Sequence, residues 1–143
     1  MGLIRRPRPV SSALTSGFWE AASRHELAIQ RCGACGHWFH PPVPVCSNCY
    51  SEDLHFDTLS GEGTIYSFTV MTEDLVPGFE SALPLTVVAV ELDEQDGLVV
   101  VSNLMGVEPS EVRIGDRVRV TFEDLPDDEG SLPQFQLCSQ VGS

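Results

Sequence analysis

The chain has 143 residues, a length that suits one domain of ordinary size or two very small ones. All eight basic residues are arginines and stand against 21 acidic residues, which gives a formal net charge of −13. The absence of lysine excludes a P-loop lysine, a Schiff-base lysine and a lysine general base. With 42% hydrophobic and 20% charged residues, the composition is that of a globular chain rather than a disordered one.

Charge is unevenly distributed along the chain. Residues 1–50 hold five arginines and two glutamates, whereas residues 51–143 hold three arginines and 19 acidic residues. The negative field of the second part repels polyanions, so we expect no nucleic acid to bind there. No apolar run approaches the ~20 residues that span a bilayer, and the N-terminus lacks the apolar core of a signal peptide. We therefore expect a cytoplasmic protein that does not enter a membrane.

The N-terminal segment, residues 1–15, is predicted to be a flexible arm because Pro7 and Pro9 prevent a helix. Ser16 then caps a short predicted helix that ends near Arg24. Aromatic side chains concentrate in this helix and further along the N-terminal half, at Phe18, Trp19, Trp38 and Phe39. Three interpretations stay open for them: they pack the helix onto the rest of the chain, dock onto a partner protein, or line an apolar ligand channel.

The most specific motif is a pair of Cys-x-x-Cys turns with ten residues between them. It comprises Cys32, Cys35, Cys46 and Cys49. Two such turns direct four thiolates at one centre, in a tetrahedron about 2.3 Å from a Zn²⁺ ion. Because protein fills all four positions, we expect a structural zinc ion, although an electron-carrying iron uses the same four ligands. The surrounding segment has almost no core, so the ~10–16 kcal/mol of metal binding would hold it together.

The residue after each second cysteine shapes the turn around the metal. Gly36 follows Cys35 and takes a positive φ at no cost, which lets backbone N–H groups turn toward sulfur. Tyr50 occupies the equivalent place after Cys49, where a positive φ is costly for a residue with a side chain. We therefore expect the second turn to be less regular than the first.

From Gly61 onward the pattern becomes that of β-strands. Five are predicted, over Thr64–Met71, Leu85–Leu92, Leu98–Leu104, Arg117–Phe122 and a last segment with Phe135 and Leu137. Alternation places Tyr66, Phe68 and Val70 on one face of the first strand, and the second strand reads as covered on both faces. A polar connector between the third and fourth strands is typical of an OB-type barrel.

We predict a mainly β protein in which a helix and a zinc ribbon over residues 16–59 precede a five-stranded OB-fold barrel over residues 60–143. No catalytic residues are predicted, because no GxSxG motif and no convincing Ser/His/Asp arrangement is present. Two interpretations stay open for His37 and His40: they are surface residues or residues packed in the ribbon, or one of them interacts with the cysteine turns or with a ligand. Cys138 is interpreted as a small apolar residue of the last strand.

A series of short motifs from about Gly17 to Leu137 resembles one family. They are Phe18-Trp19-Glu20-Ala21, Gln30-Arg31-Cys32, Cys35-Gly36, Phe39-His40-Pro41-Pro42, Val45-Cys46 with Cys49, Gly61-Glu62-Gly63-Thr64-Ile65-Tyr66-Ser67, Leu83-Pro84, Val90-Glu91-Leu92-Asp93 and Gly115-Asp116-Arg117-Val118. Together they resemble the bacterial and archaeal zinc-ribbon/OB-fold proteins that accompany acyl-CoA metabolism and thiolase-type enzymes. The departure is Tyr50, where the family usually has glycine.

The resemblance implies a rubredoxin-like zinc ribbon, a C-terminal OB barrel and a non-catalytic subunit within a hetero-oligomer. The implied partner is a thiolase-like enzyme, either a thiolase or a retro-aldolase that shortens steroid side chains, and the subunit helps to form its acyl-CoA channel. The lysine-free, arginine-rich composition favours the steroid or lipid branch. CoA is anionic, so if it contacts this chain we expect it at Arg24 or Arg31.

Three other functions stay open at this stage. The chain could be a stand-alone acyl-CoA-binding module or a rubredoxin-like electron carrier. Nucleic-acid binding is the third, but OB sites for single strands need a basic groove, and the barrel region has only three arginines among 19 acidic residues.

Overall fold

The computed structural model describes residues 12–71, 85–125 and 130–138. Within these ranges one α-helix precedes eight strands and a single 3₁₀ turn. They are α1 (Ser16–Ser23), β1 (Ala28–Cys32), β2 (Trp38–Phe39), β3 (Leu54–Thr58), β4 (Glu62–Met71), β5 (Leu85–Leu92), β6 (Val99–Leu104), the 3₁₀ turn (Pro109–Glu111), β7 (Arg117–Asp124) and β8 (Ser131–Leu137). Most of the predicted arm, residues 1–11, lies outside the described residues.

Helix α1 is short and lies against the ribbon strands. Its N-cap is Thr15, without a side-chain capping hydrogen bond, so the prediction that Ser16 caps the helix is wrong by one residue. Ala21 and Ala22 are buried, and a Cβ on Gly17 would lie 2.3 Å from the Phe56 ring, so small residues permit the close approach. In the part of the chain that the structure describes, no helix has the length and apolar character needed to cross a membrane.

Strands β1, β2 and β3 form an antiparallel sheet with β1 in the centre. The proline-rich loop after β2 is tied to this sheet by Gln30, which is 4% exposed. The Gln30 amide donates to the Val43 carbonyl at 2.9 Å and accepts from the Val43 N–H at 2.7 Å. Prolines prevent this loop from pairing as a strand, and the two bonds to Gln30 hold it against the sheet instead.

The other five strands close into a barrel in the order β4-β5-β6-β8-β7. Every contact between neighbours is antiparallel except that of β6 with β8, which is parallel and paired at Leu104 and Phe135 alone. The 3₁₀ turn connects β6 to β7, where the sequence predicted a connector. The prediction of a mainly β protein with a five-stranded OB-type barrel is confirmed.

Two predictions about strand faces are wrong. A β-bulge between Ile65 and Ser67 adds one residue to β4, so Tyr66 points outward and is 65% exposed instead of sharing the face of Phe68 and Val70. Strand β5 was expected to be covered on both faces, but its burial alternates between buried and half-buried residues. One face of β5 therefore lies in the core and the other is only partly covered.

The ribbon and the barrel share one hydrophobic core. Leu27 and Ile29, from the start of the ribbon, belong to the same buried cluster as Val90 and Phe135 of the barrel. Polar bonds reinforce this contact: the Gln95 side chain, in the β5–β6 turn, accepts from the Trp38 N–H and donates to the Trp38 carbonyl, both at 3.0 Å. A single glutamine thus fixes the position of strand β2 on the barrel.

We expect the substitution Gln95→Leu to lower the free energy of unfolding by about 1–3 kcal/mol, because it leaves the buried backbone groups of Trp38 without partners. Equilibrium urea unfolding followed by circular dichroism measures this difference. Asp96→Ala, an exposed neighbour in the same turn, is the matched control and should change stability by less than about 0.5 kcal/mol. Equal losses in the two variants would contradict the role assigned to Gln95.

Candidate metal centre

The four cysteine sulfurs of the Cys-x-x-Cys turns meet at one point of the ribbon. All lie within 4.8 Å of one another, and three of the pairs, Cys32–Cys49, Cys35–Cys46 and Cys46–Cys49, are 3.6 Å apart. A disulfide would require about 2.05 Å. A tetrahedron of thiolates about 2.3 Å from a metal has edges of about 3.8 Å. The four sulfurs are therefore placed to bind one tetrahedral metal ion.

Burial differs between the two cysteines of each turn. Cys32 and Cys46 are buried, whereas Cys35 and Cys49 are exposed. The buried pair packs with Phe39, in a small apolar cluster that Val43 and Leu54 also touch. Within the described ranges, these cysteines are the only group of three or more His, Cys, Asp or Glu side chains arranged to hold a metal.

The two turns have the same backbone geometry. Gly36 has a φ of 82°, and its N–H donates to the Cys32 carbonyl at 2.8 Å. Tyr50 has a φ of 64°, and its N–H donates to the Cys46 carbonyl at 2.7 Å. The prediction of a less regular second turn is therefore wrong. The tyrosine adopts the left-handed conformation that the turn requires. Its side chain points into solvent and is 80% exposed.

Hydrogen bonds to sulfur prepare the site for a cation. The Asn48 amide donates to Cys35 Sγ at 3.4 Å, and together with the backbone N–H of His37 it lowers the pKa of Cys35 to about 6. The backbone N–H of Ser51 also lowers the pKa of Cys49, but burial and the neighbouring sulfurs outweigh it and raise that pKa to about 12. The sulfurs thus do not ionise together without a cation, and metal binding has to release the remaining protons.

The two arginines predicted as CoA contacts have different environments. Arg31 Nε donates to the Gly36 carbonyl at 3.1 Å, its guanidinium lies 4.7 Å from the centre of the Trp38 ring, and it pairs with Asp57 at 3.6 Å. These contacts occupy Arg31 within the ribbon. The Arg24 side chain is 62% exposed and pairs at 3.4 Å with the glutamate two residues later. A ligand role stays a prediction for both, and Arg24 is the more accessible of the two.

The four aromatic residues predicted to dock a partner divide into two pairs. Trp38 and Phe39 are 8% and 9% exposed, so they pack within the chain, and a docking role stays a prediction for these two. Phe18 and Trp19 are half-buried, with ring centroids 4.8 Å apart in an edge-to-face arrangement. Both side chains keep partial exposure, although Phe18 also packs against the main hydrophobic cluster.

Phe18 and Trp19 line an open groove of about 370 Å³ between α1, the loop after β2, and strands β6 and β8. His40 lies in the same groove, with its ring centroid 5.7 Å from that of Phe18. The sequence indicated the aromatic side of the helix and left a ligand contact of His40 open beside a surface or ribbon position. The strands that complete the groove are distant in the chain, so no local pattern could reveal it.

Comparison with known proteins identifies the family. A family model described as a ChsH2 rubredoxin-like zinc ribbon domain matches residues 19–55, and one described as a ChsH2 C-terminal OB-fold domain matches residues 57–123. The chain belongs to the ChsH2/DUF35 family. The resemblance to zinc-ribbon/OB-fold proteins is thereby confirmed, and it extends to archaea: a DUF35 domain-containing scaffold protein of Methanothermobacter thermautotrophicus is 32% identical over 106 residues, 71% of this chain and 75% of that protein.

Two bacterial relatives are longer than this chain. The 3-oxo-4,17-pregnadiene-20-carboxyl-CoA hydratase alpha subunit of Mycobacterium tuberculosis is 41% identical over 84% of the chain, and the match covers 37% of that protein. A probable enoyl-CoA hydratase alpha subunit of Thermomonospora curvata is 38% identical over 92% of the chain, covering 40% of that protein. The chain thus spans about two fifths of the length of these relatives.

One of the similar solved structures contains a chain that matches this one over nearly the whole length of both. A chain of the structure described as "Ltp2-ChsH2(DUF35) aldolase" has a TM-score of 0.81 and 37% identity, with 91% of this chain and 98% of that chain covered. A DUF35-family protein of unknown function from Sulfolobus solfataricus has a TM-score of 0.61 and 15% identity over 89% of this chain and 87% of its own. The second likeness supports the fold alone.

The shared turn geometry predicts opposite effects for two substitutions. Tyr50→Gly should raise the free energy of unfolding of the metal-loaded protein by about 1 kcal/mol, because glycine adopts a positive φ without the cost of ~1–2 kcal/mol that a side chain incurs. Gly36→Ala should lower it by about 1 kcal/mol. A Cβ there would meet Arg31 at an ordinary 3.6 Å, so conformation and not space sets its cost. Urea unfolding of both variants measures the signs, and destabilisation by Tyr50→Gly would contradict the assignment.

We expect Cys46→Ser to abolish metal binding, because it removes a fully buried ligand. The ribbon should then lose its ordered structure, because the apolar cluster beneath the cysteines is small. Elemental analysis and amide hydrogen exchange of residues 28–59 measure these losses. Cys138→Ser, in the segment after β8, is the matched control and should keep one metal ion per chain. A Cys46→Ser protein with full metal content and unchanged protection would exclude this site.

Proposed function

We propose that this chain is a non-catalytic subunit that binds a thiolase-like enzyme and helps to form its acyl-CoA channel. The favoured partner is a retro-aldolase that shortens steroid or lipid side chains. The observation that carries the proposal is the match over 98% of a chain in the structure described as "Ltp2-ChsH2(DUF35) aldolase", a name that joins two components. The term scaffold protein in the name of the archaeal relative supports an accessory role of the same kind.

The lengths of the matches favour an aldolase partner over a hydratase activity. The two hydratase subunits contain this module in 37% and 40% of their length, so most of each protein has no counterpart in this chain. The aldolase match, in contrast, accounts for almost all of the related chain. We therefore assign no hydratase activity to the module itself.

The metal centre supports a structural role for the ion, which we propose to be Zn²⁺. Four cysteine ligands complete a tetrahedral shell, so no position is left where a water or a substrate could bind the metal. A saturated thiolate site holds a fold together and does not activate a nucleophile. A rubredoxin-like electron carrier would contain iron in the same ligands, and metal analysis of native material distinguishes the two.

A polar cluster between the ribbon and the barrel does not provide a nucleophile either. His25 Nε2 lies 2.6 Å from Asp124 Oδ1, and the Ser131 hydroxyl donates to the same oxygen. These bonds, that of Ser131 first, lower the pKa of Asp124. A catalytic triad places the imidazole between the hydroxyl and the carboxylate, whereas here the carboxylate lies in the middle. The cluster joins β7 and β8 to the end of the helix, and the imidazole of His25 does not contact the serine hydroxyl.

The proposed complex belongs in the cytoplasm. None of the five cysteines forms a disulfide, a state that a reducing compartment maintains. Acyl-CoA is the proposed substrate of the partner enzyme, and this chain contributes to the walls of the channel through which it passes.

Co-expression with a thiolase-like enzyme encoded next to this chain tests the proposal. We expect a stable hetero-oligomer on size-exclusion chromatography with light scattering, and acyl-CoA cleavage only when both chains are present. Cys46→Ser should abolish the complex, whereas Cys138→Ser should preserve it. Acyl-CoA cleavage by the isolated chain would overturn the non-catalytic assignment. Separate elution of the two proteins, together with micromolar calorimetric binding of an acyl-CoA to the isolated chain, would favour the stand-alone module.

A further inference from the structure

The groove beside α1 has apolar walls and no carboxylate, guanidinium or ammonium group among its lining residues. Its walls include Trp19, Pro41, Val101 and Pro133. Its volume of about 370 Å³ lies within the ~300–1,000 Å³ of small-ligand sites. In a chain with a net charge of −13, a neutral groove of this kind offers no compensation for the phosphates of a nucleotide.

The groove lies over the two neighbouring barrel strands that have the fewest paired residues. Strands β6 and β8 pair only at Leu104 and Phe135, and the groove lies over the part where these two strands are not paired. Pro133 has no N–H to donate, and the Ser102 hydroxyl spans the gap instead, donating to the Pro133 carbonyl at 2.6 Å. Val101, 64% exposed, presents an apolar side chain there. The residues of β6 and β8 themselves therefore keep the two strands apart at the groove.

Most polar side chains of the groove already have partners. Those of Thr15, Ser102 and Gln134 form hydrogen bonds within the chain. Within residues 12–71, 85–125 and 130–138, the His40 ring and the Asn103 side-chain amide take part in no hydrogen bond. Every fully buried side-chain nitrogen or oxygen in that part of the chain has a partner, so neither ring nitrogen of His40 is fully buried. Burial lowers the pKa of His40, which keeps the imidazole neutral, with one nitrogen as donor and the other as acceptor.

We infer that this groove binds the uncharged, apolar part of the acyl-CoA substrate, and that His40 forms a hydrogen bond with an oxygen that this part carries. Apolar walls with one or two uncommitted polar groups are the usual composition of a small-molecule site. The nucleotide end of CoA then lies away from this groove, because no cationic side chain lines it. The identity of the substrate rests on the proposed function, whereas binding in the groove is testable without the partner enzyme.

Equilibrium dialysis of the full, zinc-loaded chain tests the inference with three probes. Progesterone represents a steroid body with ketone oxygens, 1-decanol represents a linear body with a hydroxyl, and free CoA represents the charged end. We expect saturable one-to-one binding of progesterone or 1-decanol, which identifies the class of acyl body, and no competition by free CoA. Absence of saturable binding of both apolar probes, or displacement of them by CoA, overturns the inference.

Two pairs of variants locate the site. Val101→Trp should fill the groove and reduce binding at least tenfold, whereas Ile114→Trp, at a position 68% exposed outside the groove, should leave it unchanged. His40→Leu should weaken binding about three- to tenfold, the effect of one lost hydrogen bond, and His40→Gln should restore part of it. Circular dichroism and zinc content check that each variant is folded. Unchanged binding by Val101→Trp rejects the groove, and unchanged binding by His40→Leu rejects the hydrogen bond.

The outcomes separate this inference from the proposed function. If the apolar probes fail to bind while the chain still co-elutes with its partner enzyme, only the groove assignment is wrong. If the probes bind and no partner associates, the groove assignment stands and the accessory role is wrong.

Discussion

The convergence of four cysteine sulfurs on one point is the constraint on which the rest of the ribbon depends. Sulfurs 3.6 Å apart are too distant for a disulfide and too close for four negative charges, so only a cation makes the arrangement favourable. The apolar cluster beneath them consists of one aromatic ring and a few small contacts, far less than a domain core. The left-handed conformation of Tyr50 shows the same constraint, because the turn requires it even where no glycine is present.

The cysteine turns also lie next to the contact between the ribbon and the barrel. Strand β2 lies between them, and Trp38 within it faces the common core, under the guanidinium of Arg31. Gln95 of the barrel binds the backbone of that same tryptophan. The groove residue His40 follows β2 directly, so the geometry of the metal centre, the ribbon–barrel contact and one wall of the groove depend on a few adjacent residues. Metal loss should therefore affect a surface well beyond the cysteines.

These features fit the accessory role proposed for this chain, in which it contributes surface and the partner contributes catalytic groups. Its four cysteines are placed to fill every ligand position of a tetrahedral ion, and the groove beside α1 is neutral although the chain is strongly acidic. The same module occurs within about two fifths of longer hydratase subunits, in archaeal scaffold proteins and as nearly a whole chain in an aldolase structure. Such a distribution fits a unit that is combined with different enzymes, with the chemistry supplied by the partner.

The sequence by itself determined the four cysteines, the order of helix, ribbon and barrel strands, and the place of the connector, because each depends on spacing within a few residues. Only the tertiary structure decided the bulge at Tyr66, the internal contacts of Arg31, the burial of Trp38 and the groove at His40. At the bulge, the Ile65 N–H donates to the carbonyl of Asp116, which lies in the loop before β7 and is distant in the chain. The groove needs β6 and β8 beside α1. Contacts between residues distant in the chain leave no periodic signal in the sequence, since periodicity records only which face of a local element is buried.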